Sequence, residues 1–143
     1  MANKFLTPAE CDQIVAAIKQ AELNCSGEIR VHIDKHCKED ILDGAAHTFA
    51  RLHMHRTKLR NGVLFYIAYA DRKFAVIGDA GINSKVPEDF WNNVSQTVEE
   101  HFRKGEYTAG LCNGIKLCGE KPKEFFPYQS DDINELPDEI SFG

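Results

Sequence analysis

The amino-acid sequence predicts a three-layer α/β/α sandwich, in which a small mixed sheet is flanked by helices on both faces. Hydrophobic periodicity gives the element order α-β-α-β-β-α-α, and residues 61–82 have the pattern of a two-stranded hairpin. The chain has 143 residues, of which 43% are hydrophobic and 27% charged, as is usual for one globular domain. We therefore expect one soluble domain over residues 1–128 and an acidic tail over residues 129–143.

The first three elements follow from capping residues and periodicity. Thr7-Pro8-Ala9-Glu10 combines an N-cap hydroxyl, a first-turn proline and a capping-box glutamate, which predicts a helix over about 8–23. Residues 28–34 (EIRVHID) alternate between polar and apolar side chains, as in a half-buried strand. Helical spacing returns over about 39–55. This second helix would cross over to a parallel second strand.

The second half of the chain contains the hairpin and two helices. Residues 63–70 form an unbroken apolar run typical of a central strand, 71–73 are a polar turn, and 74–77 are the returning strand. A helix starting near Pro87 has acidic residues in its first turn and ends at Gly105. A last helix extends from about Tyr107 towards Pro122, and residues 125–128 (FFPY) then cap the body.

The charge is −5, and its distribution separates the body from the tail. Five acids and no Lys or Arg lie in the last fifteen residues, so 17 acids and 17 basic residues remain elsewhere. A neutral body without a basic stripe argues against nucleic acid as a partner. The tail also contains Ile133, Leu136 and Ile140. It could pack on the body, present a motif to a protein partner, or be disordered.

The sequence also predicts the cellular compartment and the oligomeric state. The N-terminus has no apolar signal region, and no apolar run approaches the roughly 20 residues that cross a bilayer. The five cysteines are an odd number without a C-x-x-C pair, which favours reduced thiols. We expect a cytoplasmic monomer without a membrane span.

Several short motifs occur in a fixed order: Asn61-Gly62-Val63-Leu64, the Asp71-Arg72-Lys73 turn, Gly78-Asp79-Ala80-Gly81-Ile82, and residues 102–111 (FRKGEYTAGL). Together they resemble the TPM domain family over roughly residues 7–127. The resemblance implies a twisted sheet flanked by helices and binding of a divalent cation by acidic loop residues. It also implies an acid phosphatase activity that is proposed for some members.

The predicted topology sorts polar residues onto two opposite ends of the sheet. One end has Glu28, His53, His55, Asn61 and Asp79. The other has Asp34, His36, Asp40, Asp43, Asp71 and Arg72.

Asp79 is the preferred metal ligand. It lies in a glycine-flanked loop, and carboxylate and carbonyl oxygens suit Ca²⁺ or Mg²⁺. The loop alone is explained more simply by a turn that Asp79 caps. With the family resemblance added, we expect Asp79 to bind a divalent cation together with Glu28 and Asn61.

The second candidate cluster, Asp34, Asp40, Asp43 and Asp71, lies beyond the carboxyl ends of the parallel strands, where ligands often bind. Simpler explanations compete here, since acids favour the first turn of a helix and Asp71 is in a turn. His53 and His55 are two residues apart on the predicted helix and would point to different sides. We expect one of them to pack or cap the helix end and the other to face solvent.

Familiar catalytic motifs are absent from the sequence. It has no Gly-x-Ser-x-Gly elbow, no cysteine followed by a phosphate cradle, no Walker loop and no dinucleotide fingerprint. No serine is linked to a histidine by its sequence context, which holds for Ser26, Ser84, Ser95, Ser130 and Ser141. The first hypothesis is a non-enzymatic or marginally enzymatic TPM-like module that binds a divalent cation through Asp79 and neighbouring acids and could assist other proteins. The alternatives are a metal-dependent phosphatase acting on small phosphate esters, for which Arg72 lies at the wrong end, and an interaction domain acting through its acidic tail.

Overall fold

The computed structural model describes residues 5–24, 28–58, 60–120 and 140–143. Its helices are α1 (Pro8–Asn24), α2 (Ile41–Arg51), α3 (Ala80–Asn83), α4 (Phe90–Arg103) and α5 (Tyr107–Glu120), with a 3₁₀ helix at Met54–Arg56. Its strands are β1 (Glu28–Asp34), β2 (Gly62–Ala68), β3 (Lys73–Gly78) and β4 (Ser141–Phe142). The predicted helix end near Pro122, the FFPY cap and the tail before residue 140 lie outside the described residues.

The four strands form one mixed sheet in the order β3-β2-β1-β4. Strands β1 and β2 are parallel, with Glu28 opposite Gly62 and Asp34 opposite Ala68. Strands β2 and β3 form the predicted antiparallel hairpin. Strand β4, which the sequence did not predict, pairs in parallel with the other edge of β1.

Helices cover both faces of this sheet, so the predicted three-layer sandwich is confirmed. On one face α1, α4 and α5 pack against the apolar side of β1 and the alternate residues of β2. On the other face α2 packs against Leu64, Tyr66 and Ala68 through Ala45 and Phe49. The prediction of a half-buried β1 was wrong, because polar residues of the strand are buried as well, among them Glu28 and His32.

The capping box that predicts α1 is formed. Thr7 and Glu10 exchange backbone-to-side-chain hydrogen bonds of 3.0 and 3.1 Å. The second helix is shorter than predicted because His53 has a left-handed φ of 58°, which ends the α-helical pattern after Leu52. Helix α4 begins at Phe90 instead of Pro87. The short α3 was not predicted from the sequence.

Other predictions concern cysteines and membranes. The four cysteines within the described residues, Cys11, Cys37, Cys112 and Cys118, are free thiols. Helices in the described part of the chain are all too short or too polar to cross a bilayer.

Candidate functional site

Three predicted metal ligands lie at the end of the sheet where β1 and β2 begin and β3 ends. The backbone N–H of Glu28 donates to the carbonyl of Asn61 at 3.1 Å, and the N–H of Asp79 donates to the carbonyl of Gly62 at 2.9 Å. Glu28, Asn61 and Asp79 are all buried residues. The parallel register of β1 and β2 and the length of the hairpin place them at this end, as the sequence predicted.

Arg60 is bound to the carboxylate of Asp79 through both arms of its fork. The Nε atom donates to Oδ2 at 2.6 Å and an Nη atom donates to Oδ1 at 2.8 Å. The Asp79 side chain is only 7% exposed, whereas that of Arg60 is 52% exposed. Oδ1 also accepts the N–H of Ala80 at 2.8 Å and thereby caps α3. The turn-capping interpretation of Asp79 is therefore part of its role.

Electrostatics keep Asp79 ionised. Burial alone would raise the pKa of its carboxyl, but the hydrogen bonds from Arg60 and from the Ala80 N–H outweigh burial, and His55 adds a smaller attraction. The net result is a pKa below the usual aspartate range. The same contact raises the pKa of Arg60.

The end near Asp79 is not assembled as a closed metal site. Among the described residues, no three His, Cys, Asp or Glu side chains are placed to hold one ion together. Both carboxylate oxygens of Asp79 accept hydrogen bonds from Arg60. Oxygen ligands suited to a hard cation are present, but a metal ion at Asp79 would have to replace the guanidinium.

The histidines at this end differ in part from the prediction. His53 and His55 are both exposed, with ring centroids 6.4 Å apart, and it is Met54 between them that is fully buried. His53 does occupy the N-cap position of the 3₁₀ helix, but its side chain makes no capping hydrogen bond.

At the opposite end, three of the four acids of the second candidate cluster have separate local roles. Asp40 caps α2 by accepting the N–H of Leu42 at 3.0 Å. Asp71 accepts the N–H of Cys37 at 2.7 Å and contacts His36 at 2.9 Å. Asp34 is bound by residues that were not among the predicted ligands.

Asp34 belongs to a chain of four polar side chains that we call the Asp34 relay: Ser141, His32, Asp34 and Tyr66. Ser141 Oγ lies 2.7 Å from His32 Nδ1, His32 Nε2 lies 2.9 Å from Asp34 Oδ1, and the Tyr66 hydroxyl donates to Asp34 Oδ2 at 2.7 Å. The strand period puts His32 and Asp34 on one face, so this pair was available from the sequence. Ser141 is 109 residues from His32, and no sequence signal joined them.

The pKa shifts in the relay have clear causes. Burial lowers the pKa of His32 below its usual value, although the hydrogen bond and charge of Asp34 oppose this change. Burial and the hydrogen bond to Asp34 raise the pKa of Tyr66, and Cys37 adds to the effect. At neutral pH His32 is therefore uncharged and Tyr66 is a hydroxyl donor.

Comparison with known proteins identifies relatives of the chain. The TPM domain family matches residues 2–121. The solution structure of the BA42 protein from the psychrophilic bacterium Bizionia argentinensis is 44% identical and covers 100% of this chain and 99% of its own, with a TM-score of 0.93. No curated protein matches the chain.

Two more distant structures share the fold. The N-terminal domain of the cg2496 protein from Corynebacterium glutamicum is 10% identical and covers 92% of this chain and 77% of its own, with a TM-score of 0.66. The N-terminal domain of a P. gingivalis protein is 16% identical and covers 88% and 83% respectively, with a TM-score of 0.68.

Proposed function

The chain belongs to the TPM domain family, and we propose that it is a divalent-cation-binding module in which the ion binds Asp79 in exchange for the Arg60 guanidinium. The observation that carries the proposal is a buried, ionised carboxylate whose counter-charge is a half-exposed arginine. Burying a carboxylate is costly unless a positive charge compensates it. Arg60 supplies that charge now and can move into water when an ion takes its place.

The residues around Asp79 suit a divalent cation that takes the place of the Arg60 guanidinium. Glu28 provides another carboxylate, and Asn61 provides an amide oxygen at the same end of the sheet. Ca²⁺ and Mg²⁺ both take such oxygen ligands, and a dication would balance two acids where one arginine balances one. Two buried acids at one end of the sheet and a half-exposed arginine together favour cation binding over a purely structural ion pair.

The proposal predicts opposite effects of two substitutions. In a titration with CaCl₂ or MgCl₂ followed by amide NMR, we expect shifts at Glu28, at residues 60–62 and at residues 78–82. Asp79→Asn should abolish them because it removes the charged ligand. Arg60→Gln should tighten binding severalfold because it removes the competing cation.

Arg72→Gln is the matched control for the arginine substitution. Arg72 and Arg60 both have left-handed φ angles, 55° and 51°, but Arg72 lies in the turn at the other end of the hairpin. Its replacement should leave the affinity unchanged. Shifts centred on Asp34 and Asp71, or no shifts at all, would refute the proposal. Weaker binding in Arg60→Gln would refute the exchange.

One observation also favours a phosphatase as the second candidate function. Hydrolysis needs a clamp for phosphate oxygens, and the fork of Arg60 at the Asp79 end is the geometry that binds them in pairs. In an assay with p-nitrophenyl phosphate and added Mg²⁺, both Arg60→Gln and Asp79→Asn should then lose turnover. If Arg60→Gln binds the metal more tightly and turnover is undetectable in the unaltered protein, the chain is a binding module and this candidate is excluded.

A further inference from the structure

The Asp34 relay has a defined direction of proton donation. The Asp34 carboxylate accepts hydrogen bonds through both oxygens, from the Tyr66 hydroxyl at Oδ2 and from His32 Nε2 at Oδ1. Because the Asp34 carboxylate can only accept, the proton of the neutral His32 ring is assigned to Nε2, and Nδ1 is then an acceptor. The hydroxyl of Ser141, 2.7 Å away, then donates to Nδ1 in preference to the Val31 carbonyl, which lies 3.4 Å from the same oxygen. A serine is thus bound to an unprotonated imidazole nitrogen whose other nitrogen is held by a carboxylate.

We propose that Ser141 is a nucleophile for acyl transfer from carboxylic esters, with His32 as its general base and Asp34 as the residue that positions His32. A nucleophile within hydrogen-bond reach of a base, with the base oriented by a third group, is the recognised arrangement for activating a serine. The inference does not depend on a metal ion. The relay is at the carboxyl ends of β1 and β2, whereas Asp79 lies where these strands begin.

The reaction follows from these contacts. Ser141 Oγ attacks the ester carbonyl carbon, and its proton passes to His32 Nδ1. The carbon–oxygen bond to the alcohol breaks, and His32 returns the proton to the leaving alkoxide. Water then repeats the sequence on the acyl-serine, with His32 again as base, and releases the acid. The charge of Asp34 stabilises the protonated imidazole between these transfers.

The fold builds this site at an edge of the sheet and leaves part of it accessible. His32 is 5% exposed, whereas Ser141 is only half-buried on the two-residue strand β4. The Gly143 N–H donates to the Ile33 carbonyl at 3.0 Å, and a Cβ at Gly143 would overlap the Asp34 carboxylate. The chain after Ser141 therefore passes directly over Asp34, which helps to fix the serine against the imidazole.

Tyr66 has a positioning role in this arrangement. Its ring stacks on the His32 ring at a centroid distance of 5.9 Å and an interplanar angle of 9°, while its hydroxyl holds Asp34.

The charged groups that act on His32 are Asp34, Arg30 and Arg51. Asp34 favours the imidazolium, and the two arginines oppose it.

The proposal is tested on the full chain with a biotinylated fluorophosphonate, which transfers its phosphonyl group to an activated serine with loss of fluoride. We expect labelling at Ser141, identified by mass spectrometry of the modified peptide, and burst release of p-nitrophenol from p-nitrophenyl acetate. Ser141→Ala should abolish both signals. His32→Gln should slow labelling about a hundredfold, which is typical of loss of a general base.

Controls separate catalysis from docking of the C-terminal strand. Ser95→Ala removes a half-buried serine of α4 and should leave labelling unchanged. Asp34→Asn is the second variant, and it should also slow labelling. Its labelling rate is compared after circular dichroism has shown that the variant has the native fold. The rate for the unaltered protein should fall with acid at a pH below the usual histidine range, because burial keeps His32 neutral. Labelling that is absent from the folded protein, is retained in Ser141→Ala, or is unchanged in folded His32→Gln would overturn the proposal.

Discussion

Replacement of Tyr66 by Phe removes one buried hydroxyl and little else. Tyr66 is 3% exposed, and its hydroxyl donates to Asp34 Oδ2 at 2.7 Å. Phenylalanine keeps the ring in the α2 layer and its stacking on His32. The substitution therefore removes the hydrogen bond to the Asp34 carboxylate together with a smaller interaction with Cys37, and it leaves that oxygen without its tyrosine donor.

The expected cost follows from the type of bond. A hydrogen bond to a charged group contributes about 1.5–3 kcal/mol, and a buried acceptor that loses its partner costs a similar amount. We expect the free energy of unfolding to fall by about 2 kcal/mol. For a chain of 143 residues, an average unfolding entropy per residue converts this loss to a decrease in Tm of about 7 °C.

Urea unfolding at pH 7, followed by far-UV circular dichroism, measures the difference in the free energy of unfolding between Tyr66→Phe and the unaltered protein. Tyr69→Phe is the control, because it removes the same atom from a half-buried tyrosine whose ring stacks on Phe5 at 5.2 Å. We expect it to cost less than about 0.5 kcal/mol, as for most substitutions outside buried networks. A Tyr66→Phe protein as stable as the control would show that the hydroxyl of Tyr66 does not stabilise Asp34.

The pH dependence of stability at alkaline pH is an independent test of Tyr66. The pKa of Tyr66 is raised in the folded state, so unfolding releases its proton more easily above the ordinary tyrosine pKa of 10.0. Stability from this group is complete below that pH and is lost as pH rises above it. Tyr66→Phe should therefore show a flatter stability curve above pH 10.0 than the unaltered protein. Identical slopes would contradict the raised pKa.

Three further predictions concern packing, capping and pH. Gly114→Ala places a Cβ within 2.7 Å of Val98 Cγ2 between α5 and α4, and should cost about 1–3 kcal/mol in urea unfolding. Asp40→Ala removes the α2 cap and should cost about 1 kcal/mol, whereas Asp43→Ala in the same exposed turn should cost clearly less; equal losses would contradict the capping role. The lowered pKa of Asp79 means that this residue contributes stability above the ordinary aspartate pKa of 3.8, and that this stability is lost as pH falls below 3.8. In Asp79→Asn, the free energy of unfolding measured by urea titration should therefore depend less on pH below 3.8.

Much of the fold could be predicted because long elements repeat their pattern many times. The alternation in residues 28–34 and the apolar run that follows the crossover gave β1, β2 and their parallel pairing. The capping box gave the start of α1. Short elements could not be found in this way. A two-residue strand at Ser141–Phe142 and a single helical turn at Ala80–Asn83 show no period, and they form because other parts of the chain offer them partners.

The site was only partly predictable, for a different physical reason. Backbone register brings Glu28, Asn61 and Asp79 to one end of the sheet, and register follows from the strand pattern. The arginine that holds Asp79 could not be chosen on sequence grounds, because its contact depends on the left-handed backbone at Arg60. The Asp34 relay could not be predicted because alternation in β1 indicates a solvent-facing side, whereas Tyr66 of β2 stacks on His32 and Ser141 of β4 lies against it.

The two ends of the sheet satisfy a carboxylate in chemically different ways, and this difference separates their proposed chemistry. Asp79 is held by a guanidinium, a full positive charge on a side chain that is half in water. In the proposed exchange another cation replaces this charge, which itself cannot accept a proton. Asp34 is held by Tyr66 and by His32, both neutral at pH 7, and the imidazole can accept a proton from its other side. Ion exchange is therefore the chemistry suited to Asp79, and proton transfer is the chemistry suited to Asp34.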